Sequence, residues 1–127
     1  MADYPEDRNY TSDHEWVTSG NDAIVRVGIT TYATAALGDI VFVSLPEVGD
    51  DVEAGDSVAE LESTKSVSEV FSPVSGTIVQ VNEAVGDSPE LINDDPYDAG
   101  WLFEVRMSDP EQFDDLLDVT AYTDQLQ

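Results

Sequence analysis

Short apolar runs separated by turn residues fill most of the chain and predict a series of β-strands. Residues 15–19 and 22–28 predict two strands joined by a hairpin turn at Gly20-Asn21. Residues 39–45 are β-branched and aromatic, which predicts a buried strand. Residues 101–107 alternate between apolar and polar positions, which predicts a strand with one buried face. The core is therefore predicted to be β.

Two segments show helical signals instead. Residues 30–37 are rich in alanine and are followed by Gly38, which predicts a short internal helix with a glycine stop. Near the C terminus, Asp109 is a candidate helix cap, with Pro110 at the first helical position. Apolar residues then recur at helical spacing, and they are Phe113, Leu116 and Leu117. We expect a single C-terminal helix with its Asp114, Asp115 and Asp118 carboxylates in solvent.

The middle of the chain contains a weak internal repeat. Residues 54–61 resemble residues 85–91, and each copy contains a Gly-Asp pair that is typical of a turn before an extended segment. This similarity predicts two related β units, with Lys65 on the turn between the strands at the middle of the chain.

The composition fits one folded domain covering residues 1–127. The chain is 41% hydrophobic with 9% aromatic residues, which is too apolar for a disordered chain. Its 28 acidic and 4 basic residues give a formal charge of −24. Such self-repulsion is relieved by concentrated salt, so we interpret the surface as an adaptation to a salt-rich cytoplasm, as in a halophile. The alternative is an acidic protein that binds a basic partner.

The same charge argues against nucleic acids and anionic membranes as partners, because both are polyanionic. No apolar run approaches the length of a membrane span, and the first residues lack the features of a signal peptide, so we expect a cytoplasmic protein. With no cysteine and one histidine, His14, a zinc site or a catalytic triad is not expected. We expect a structural hydrogen-bonding role for His14.

Lys65 is the only lysine in the chain, and it lies in a short polar segment predicted to be a turn. Lysine offers a primary amine that can be acylated or can form an imine, which arginine does not. The retention of one lysine in so acidic a chain invites a chemical explanation at this amine, and the alternative is a single leftover surface charge.

The sequence around Lys65 resembles a known family. Residues 62–76 (ESTKSVSEVFSPVSG) are similar to the lipoyl-lysine hairpin of glycine cleavage system H proteins. Four further blocks resemble that family in the same order: residues 14–17 (HEWV), residues 27–30 with 37–43, residues 45–49, and residues 91–93 with 96–102. Together the blocks cover most of residues 14–107.

The resemblance implies a mainly β barrel-sandwich hybrid fold of the lipoyl/biotinyl-domain type, with a short internal helix and a C-terminal helix. It implies a carrier rather than an enzyme, with lipoic acid joined covalently to Lys65. The implied partners are glycine decarboxylase (P protein), aminomethyltransferase (T protein), dihydrolipoyl dehydrogenase (L protein) and a lipoylating ligase or transferase. The carrier would take an aminomethyl group from the decarboxylase to the aminomethyltransferase, and the dehydrogenase would then reoxidise its dithiol.

The resemblance also implies roles for two carboxylates. Glu15 and Glu69 are candidate contacts to the lipoyl arm when it carries the cationic aminomethyl group, although either could be an ordinary surface acid. The chain departs from the family at two places. Thr64 and Ser66 flank the lysine where Val and Ala are frequent, and Glu69 stands where Asp is common. These differences preserve the amine and affect only the implied contacts.

Two other interpretations of Lys65 remain open at the level of sequence. The first is a lipoyl or biotinyl domain of an acyltransferase or carboxylase, although biotinyl domains favour Met on both sides of the lysine. The second is a small enzyme that forms a Schiff base through Lys65. Such an enzyme needs a lowered amine pKa, whereas the neighbouring Glu60, Glu62 and Glu69 favour the charged amine.

Overall fold

The computed structural model describes residues 4–19 and 23–126. The predicted hairpin turn at Gly20-Asn21 lies outside these residues. In the described part of the chain, the strands are β1 (Asn9–Tyr10), β2 (Glu15–Ser19), β3 (Ile24–Ile29), β4 (Ile40–Ser44), β5 (Asp51–Val52), β6 (Ser57–Ser63), β7 (Val67–Phe71), β8 (Gly76–Val81) and β9 (Phe103–Met107). The helices are α1 (Thr31–Leu37), α2 (Glu83–Asp87), α3 (Glu90–Asp94), α4 (Glu111–Asp114) and α5 (Val119–Gln125).

The strands form two antiparallel sheets, which confirms the predicted β core. The larger sheet has the strand order β1-β2-β3-β9-β8-β5, and the smaller sheet has the order β4-β6-β7. One apolar cluster draws fully buried residues from both sheets, including Val17, Val25, Val27, Leu61, Val70, Ile78, Phe103 and Val105. The predicted alternation in residues 101–107 holds from Phe103 onward, since Phe103 and Val105 are buried while Arg106 is exposed. The smaller sheet carries Lys65 at one end.

A second, aromatic cluster joins the two ends of the chain. Tyr10 of β1, Trp16 of β2 and Tyr122 of α5 are all buried, and the Tyr10 and Tyr122 rings stack. The Trp16 indole lies against Gly28, where a Cβ atom would come within 2.5 Å of the ring. Glycine at this position therefore lets the large indole reach its buried site, from which Nε1 donates a hydrogen bond to the Pro96 carbonyl.

The internal helix forms as predicted. Thr30 caps α1, and its side-chain oxygen accepts a hydrogen bond from the Ala33 amide. Gly38 ends the helix with a φ of 82°, a left-handed conformation that favours glycine, and its N–H donates to the Thr34 carbonyl.

The prediction of a single C-terminal helix is wrong. Helix α4 ends at Asp114, because Leu117 exchanges backbone hydrogen bonds with Tyr10 of β1 at 2.7 and 2.8 Å. Asp118 is exposed, as predicted, but it lies between two helices and caps α5 by accepting a hydrogen bond from the Ala121 amide. A long-range strand-like contact therefore interrupts the local helical pattern.

The predicted internal repeat is also wrong as a structural repeat. The segment after Gly55 forms strand β6, whereas the equivalent segment after Gly86 forms helix α3. Helices α2 and α3 each bury one apolar residue completely, Val85 and Ile92. Their packing against β4 outweighs the turn-and-strand signal of the sequence.

Strand β4 is only partly buried, in contrast to the prediction. Ile40 pairs with Ser63 and Phe42 with Glu62, so Val41 is an extra residue in a β-bulge. The bulge interrupts the alternation of the strand, and Val41 and Phe42 are 51% and 56% exposed. Two adjacent large apolar side chains therefore face solvent beside the end of the sheet that carries Lys65.

Candidate functional site at the Lys65 turn

Residues 64–66, called here the Lys65 turn, connect β6 to β7, whose last paired residues are Glu62 and Val67. Ser63 organises this turn. Its hydroxyl oxygen accepts hydrogen bonds from the amides of Lys65 at 3.1 Å and Ser66 at 3.0 Å, and it donates to the Ser66 carbonyl at 3.0 Å. A serine that binds the backbone two and three residues later is a common way to fix a turn. The Ser63 side chain therefore fixes the backbone conformation at Lys65.

The Lys65 side chain is exposed, as the turn prediction requires. Its aliphatic stem passes Gly38, where a Cβ atom would lie 3.5 Å from Lys65 Cε. The turn itself touches the same segment, because the Thr64 amide donates to the Asp39 carbonyl at 3.2 Å. Within residues 4–19 and 23–126, no carboxylate forms an ion pair with Lys65. The amine is therefore accessible, and the turn that carries it packs against the segment at the end of α1.

Asn93 of α3 binds residues 38–40, the segment that the Lys65 turn contacts. Its Nδ2 donates to the Gly38 carbonyl and its Oδ1 accepts from the Ile40 amide, both at 2.9 Å. One side-chain amide thus satisfies the two backbone groups on either side of Asp39. Asn93 was not predicted as a supporting residue, because its partners lie more than fifty residues away along the chain.

Glu15 is buried, which overturns the interpretation of this residue as an ordinary surface acid. Glu15 is only 2% exposed to solvent. One carboxyl oxygen accepts from the Phe71 amide of β7 at 2.8 Å, and the other accepts from the Thr11 hydroxyl at 2.9 Å. Glu15 therefore joins the larger sheet to the strand that leaves the Lys65 turn.

Burial raises the pKa of the Glu15 carboxyl to about 8, and the hydrogen bonds from Phe71 and Thr11 offset only part of this effect. The folded state then binds the Glu15 proton more tightly than the unfolded state, whose carboxyl has an ordinary pKa near 4.5. Between these two values, rising pH removes the proton from the unfolded chain first. Stability contributed by this group is therefore full below about pH 4.5 and is lost as the pH approaches 8.

Glu15→Gln is expected to remove this pH dependence, because the amide keeps a hydrogen-bonding side chain without a titrating proton. The wild-type free energy of unfolding should fall relative to that of the variant by up to about 1.4 kcal/mol per pH unit between pH 5 and 8. Denaturant unfolding of both proteins at fixed high salt measures the difference. A constant difference across this range would contradict the buried, protonated carboxyl.

Glu69 is exposed and lies on the outer face of the smaller sheet, directly opposite Glu60. It follows Lys65 by four residues on the same hairpin, which corresponds to roughly 13 Å along an extended strand. Phe71, the backbone partner of Glu15, lies two residues further along. Glu69 therefore extends from β7 into solvent, and the Glu15 carboxyl binds the same strand two residues further along from the interior.

His14 has the structural role expected from the sequence. Its Nδ1 lies 2.8 Å from the Tyr122 hydroxyl, which also lies 2.8 Å from the Thr30 hydroxyl, and its ring stacks on Tyr32. Burial lowers the pKa of His14. The residues that the structure describes contain no group of three or more potential metal ligands and no helix suited to crossing a membrane.

Comparison with known proteins tests the resemblance over the whole chain. The family model described as "Glycine cleavage H-protein" matches residues 8–127. The chain belongs to the glycine cleavage H-protein family. A glycine cleavage system H protein of Mycobacterium avium is 53% identical over 126 residues, which cover 96% of each chain. That of Escherichia coli O7:K1 is 49% identical over 122 residues, covering 96% of this chain and 95% of the relative.

A solved structure gives the same result for the fold. The crystal structure of a glycine cleavage system H protein from Mycobacterium marinum matches with a TM-score of 0.89 and 50% identity, covering 97% of this chain and 98% of that one. The predicted barrel-sandwich fold of the lipoyl type is therefore confirmed. H proteins carry lipoic acid covalently on a lysine and interact with the P, T and L proteins of glycine cleavage.

Membership of the H-protein family decides between the interpretations that the sequence left open. The chain is a lipoyl carrier component of the glycine cleavage system, as predicted, and not a domain of an acyltransferase or carboxylase. The residues at the Lys65 turn fit an amide-linked arm, because the amine is exposed and the backbone of the turn is fixed by hydrogen bonds to Ser63. Ser63 itself was missed, although a serine two residues before the lysine is a recognisable turn signal.

Proposed function

We propose that Lys65 carries the lipoyl group of this H protein, as an amide of its side-chain nitrogen, and that residues 1–127 form one carrier domain. The observation that carries the proposal is the position of the chain's only lysine on an exposed turn held by Ser63. The lipoyl group supplies a disulfide that opens to a dithiol and transports the aminomethyl unit. The protein supplies an accessible amine on a rigid turn. The arm therefore presents its sulfur to each partner at high effective concentration.

We also propose that the chain performs no chemical step of its own and that its partners include a lipoylating ligase or transferase. Its side chains favour this assignment. The chain has no thiol to exchange with the dithiol, and its one histidine is hydrogen-bonded to Tyr122. The P, T and L proteins supply the chemistry of glycine cleavage. A cytoplasmic location belongs to the same proposal and is supported by the family's role in bacteria.

Mass spectrometry of the intact protein from its native host tests the attachment. We expect an increase equal to one lipoyl group, and fragmentation should place it on Lys65. An increase equal to biotin, or an unmodified chain that is trapped by borohydride with a carbonyl compound, would contradict the proposal. Because Lys65 is the only lysine, the fragment assignment has no competing amine apart from the N terminus.

Glu15 and Glu69 are proposed as contacts to the arm when it carries the aminomethyl group. Glu69 supports this role by offering an exposed carboxylate four residues past Lys65. Glu15 supports it through its hydrogen bond to the Phe71 amide of the same strand. A carboxylate beside the arm favours a cationic amine, and a carboxyl that keeps its proton at neutral pH can give that proton up when a cation approaches.

Glu69→Gln is expected to shorten the lifetime of the carrier once it is loaded from glycine, because the amide removes the charge that favours the cation. We expect a severalfold change, in line with about 1 kcal/mol for an exposed charge pair. Release of ammonia from purified loaded carrier measures this lifetime. Glu53→Gln, which neutralises an exposed acid away from the hairpin, is the matched control. Equal lifetimes in Glu69→Gln and the wild type would exclude this contact.

A further inference from the structure

The outer face of the smaller sheet has a composition that packing inside this chain does not explain. Its outward-facing residues form rows across the three strands, and apolar and acidic side chains lie next to each other on it. Phe42, Glu62 and Val67 form one row, and Ser44, Glu60 and Glu69 form the next. Phe42 and Val67 are 56% and 58% exposed. We call this surface, together with Val41, the outer face.

The β-bulge in β4 creates the apolar part of the outer face. Regular alternation would turn one of two adjacent residues inward, but the bulge leaves both Val41 and Phe42 exposed. The described residues contain five large hydrophobic side chains that are exposed, and three of them (Val41, Phe42 and Val67) lie on this small surface. Clustered exposed apolar residues are typical of interaction sites, whereas scattered ones are not.

The charge of the outer face indicates what kind of surface can cover it. Glu60, Glu62 and Glu69 all point outward with Phe42 and Val67 between or beside them. The ion pairs found in residues 4–19 and 23–126 involve other acids, Asp7 and Glu104. A complementary partner therefore offers an apolar cleft bordered by lysine or arginine side chains.

The position of the outer face indicates which partner this is. Val67 lies two residues past Lys65, and Phe42 lies in the same row across the sheet. An enzyme that acts on the Lys65 nitrogen must bring its reacting atom into bonding distance of the amine. The surface around its active site therefore covers the residues next to the turn. An enzyme that acts at the far end of the arm can remain farther from the turn.

We propose that the outer face docks the enzyme that acylates Lys65, through an apolar cleft with a basic rim. The inference rests on the proposed attachment at Lys65. In the step that docking serves, the deprotonated amine forms a C–N bond to the acyl carbon of an activated lipoyl adenylate. The bond from that carbon to the phosphate oxygen breaks, adenylate leaves, and the nitrogen releases a proton to solvent. Val41, Phe42 and Val67 act as docking residues and take no part in this exchange.

Kinetics of acylation by a purified bacterial lipoate ligase, supplied with lipoic acid and ATP, test the proposal. Phe42→Ser is expected to raise the KM for the carrier by about tenfold with kcat unchanged, because an aromatic anchor is lost from docking and not from the reaction. Val41→Ser combined with Val67→Ser should raise KM severalfold. Val48→Ser is the matched control, since Val48 is 62% exposed but lies outside the outer face, and its KM should stay near that of the wild type.

Three outcomes would overturn the docking proposal while leaving the proposed function intact. The first is an unchanged KM in Phe42→Ser, with folding verified by circular dichroism. The second is normal acylation of Phe42→Ser but a weakened reaction of its lipoylated form with glycine decarboxylase. The third is a carrier dimer that Phe42→Ser dissociates, which would make the outer face a self-association surface. Absence of acylation in the wild type, or acylation of Lys65→Arg, would instead overturn the proposed function and this inference with it.

Discussion

Lys65→Arg is expected to abolish carrier function completely in a reconstituted system of the P, T and L proteins. Arginine keeps the positive charge and the approximate length of the side chain, but its guanidinium does not form the amide that a lysine amine forms. The turn should be unaffected, because Ser63 binds backbone groups and not the side chain of residue 65. Glycine-dependent release of carbon dioxide measures the activity, and it should fall to the level seen without carrier.

The double variant Lys65→Arg with Arg106→Lys provides a strict control. It restores one lysine to the chain with no change in composition or net charge, but it places that lysine on strand β9, where Arg106 is exposed. We expect it to remain unmodified and inactive, because an amine along a paired strand lacks the presentation that the Lys65 turn provides. Recovery of activity in the double variant would show that any exposed lysine suffices, and the role assigned to the turn would then be wrong.

Lowering the salt concentration is expected to unfold the protein. The chain carries a net charge of −24, and screening reaches only about 3 Å in molar salt but about 10 Å at 0.1 M. Repulsion between acids therefore grows as salt is removed, against a total stability that is about 5–15 kcal/mol for ordinary domains. The melting temperature should fall steadily with dilution. A circular dichroism spectrum and melting temperature that do not change in dilute buffer would refute the interpretation as a halophilic surface.

One carboxylate pair allows the origin of this salt effect to be tested. Glu60 and Glu69 lie directly opposite each other on neighbouring strands, an arrangement in which like charges destabilise a sheet. Glu60→Gln should therefore raise the melting temperature in low salt and have a smaller effect in molar salt. An equal gain at both salt concentrations would indicate a change in packing instead of relief of charge repulsion.

Patterns that depend on neighbouring residues were predicted well from the sequence. Helix α1 is set by a threonine cap and a glycine stop within nine residues, and the burial of β9 follows its own alternation. The exposure of Lys65 likewise depends on a short turn whose bonds come from Ser63. In each case the residues that cause the structure are close to those that form it.

Features that depend on distant partners were not predicted. The C-terminal helix stops at α4 because Leu117 pairs with Tyr10, a residue more than one hundred positions earlier. Glu15 is buried because its carboxyl finds the Phe71 amide on the other sheet. The bulge that exposes Val41 and Phe42 arises from the register of β4 against β6, which the apolar run at residues 39–45 does not reveal.

The way Ser63 forms the Lys65 turn has a consequence for which sequences this hairpin tolerates. The hydroxyl and backbone of Ser63 make every bond that closes the turn, and all of them end on main-chain atoms of Lys65 or Ser66. The side chains of Thr64 and Ser66 are exposed, and neither takes part in these hydrogen bonds. Substitution of the two neighbours of the lysine is therefore compatible with the same turn.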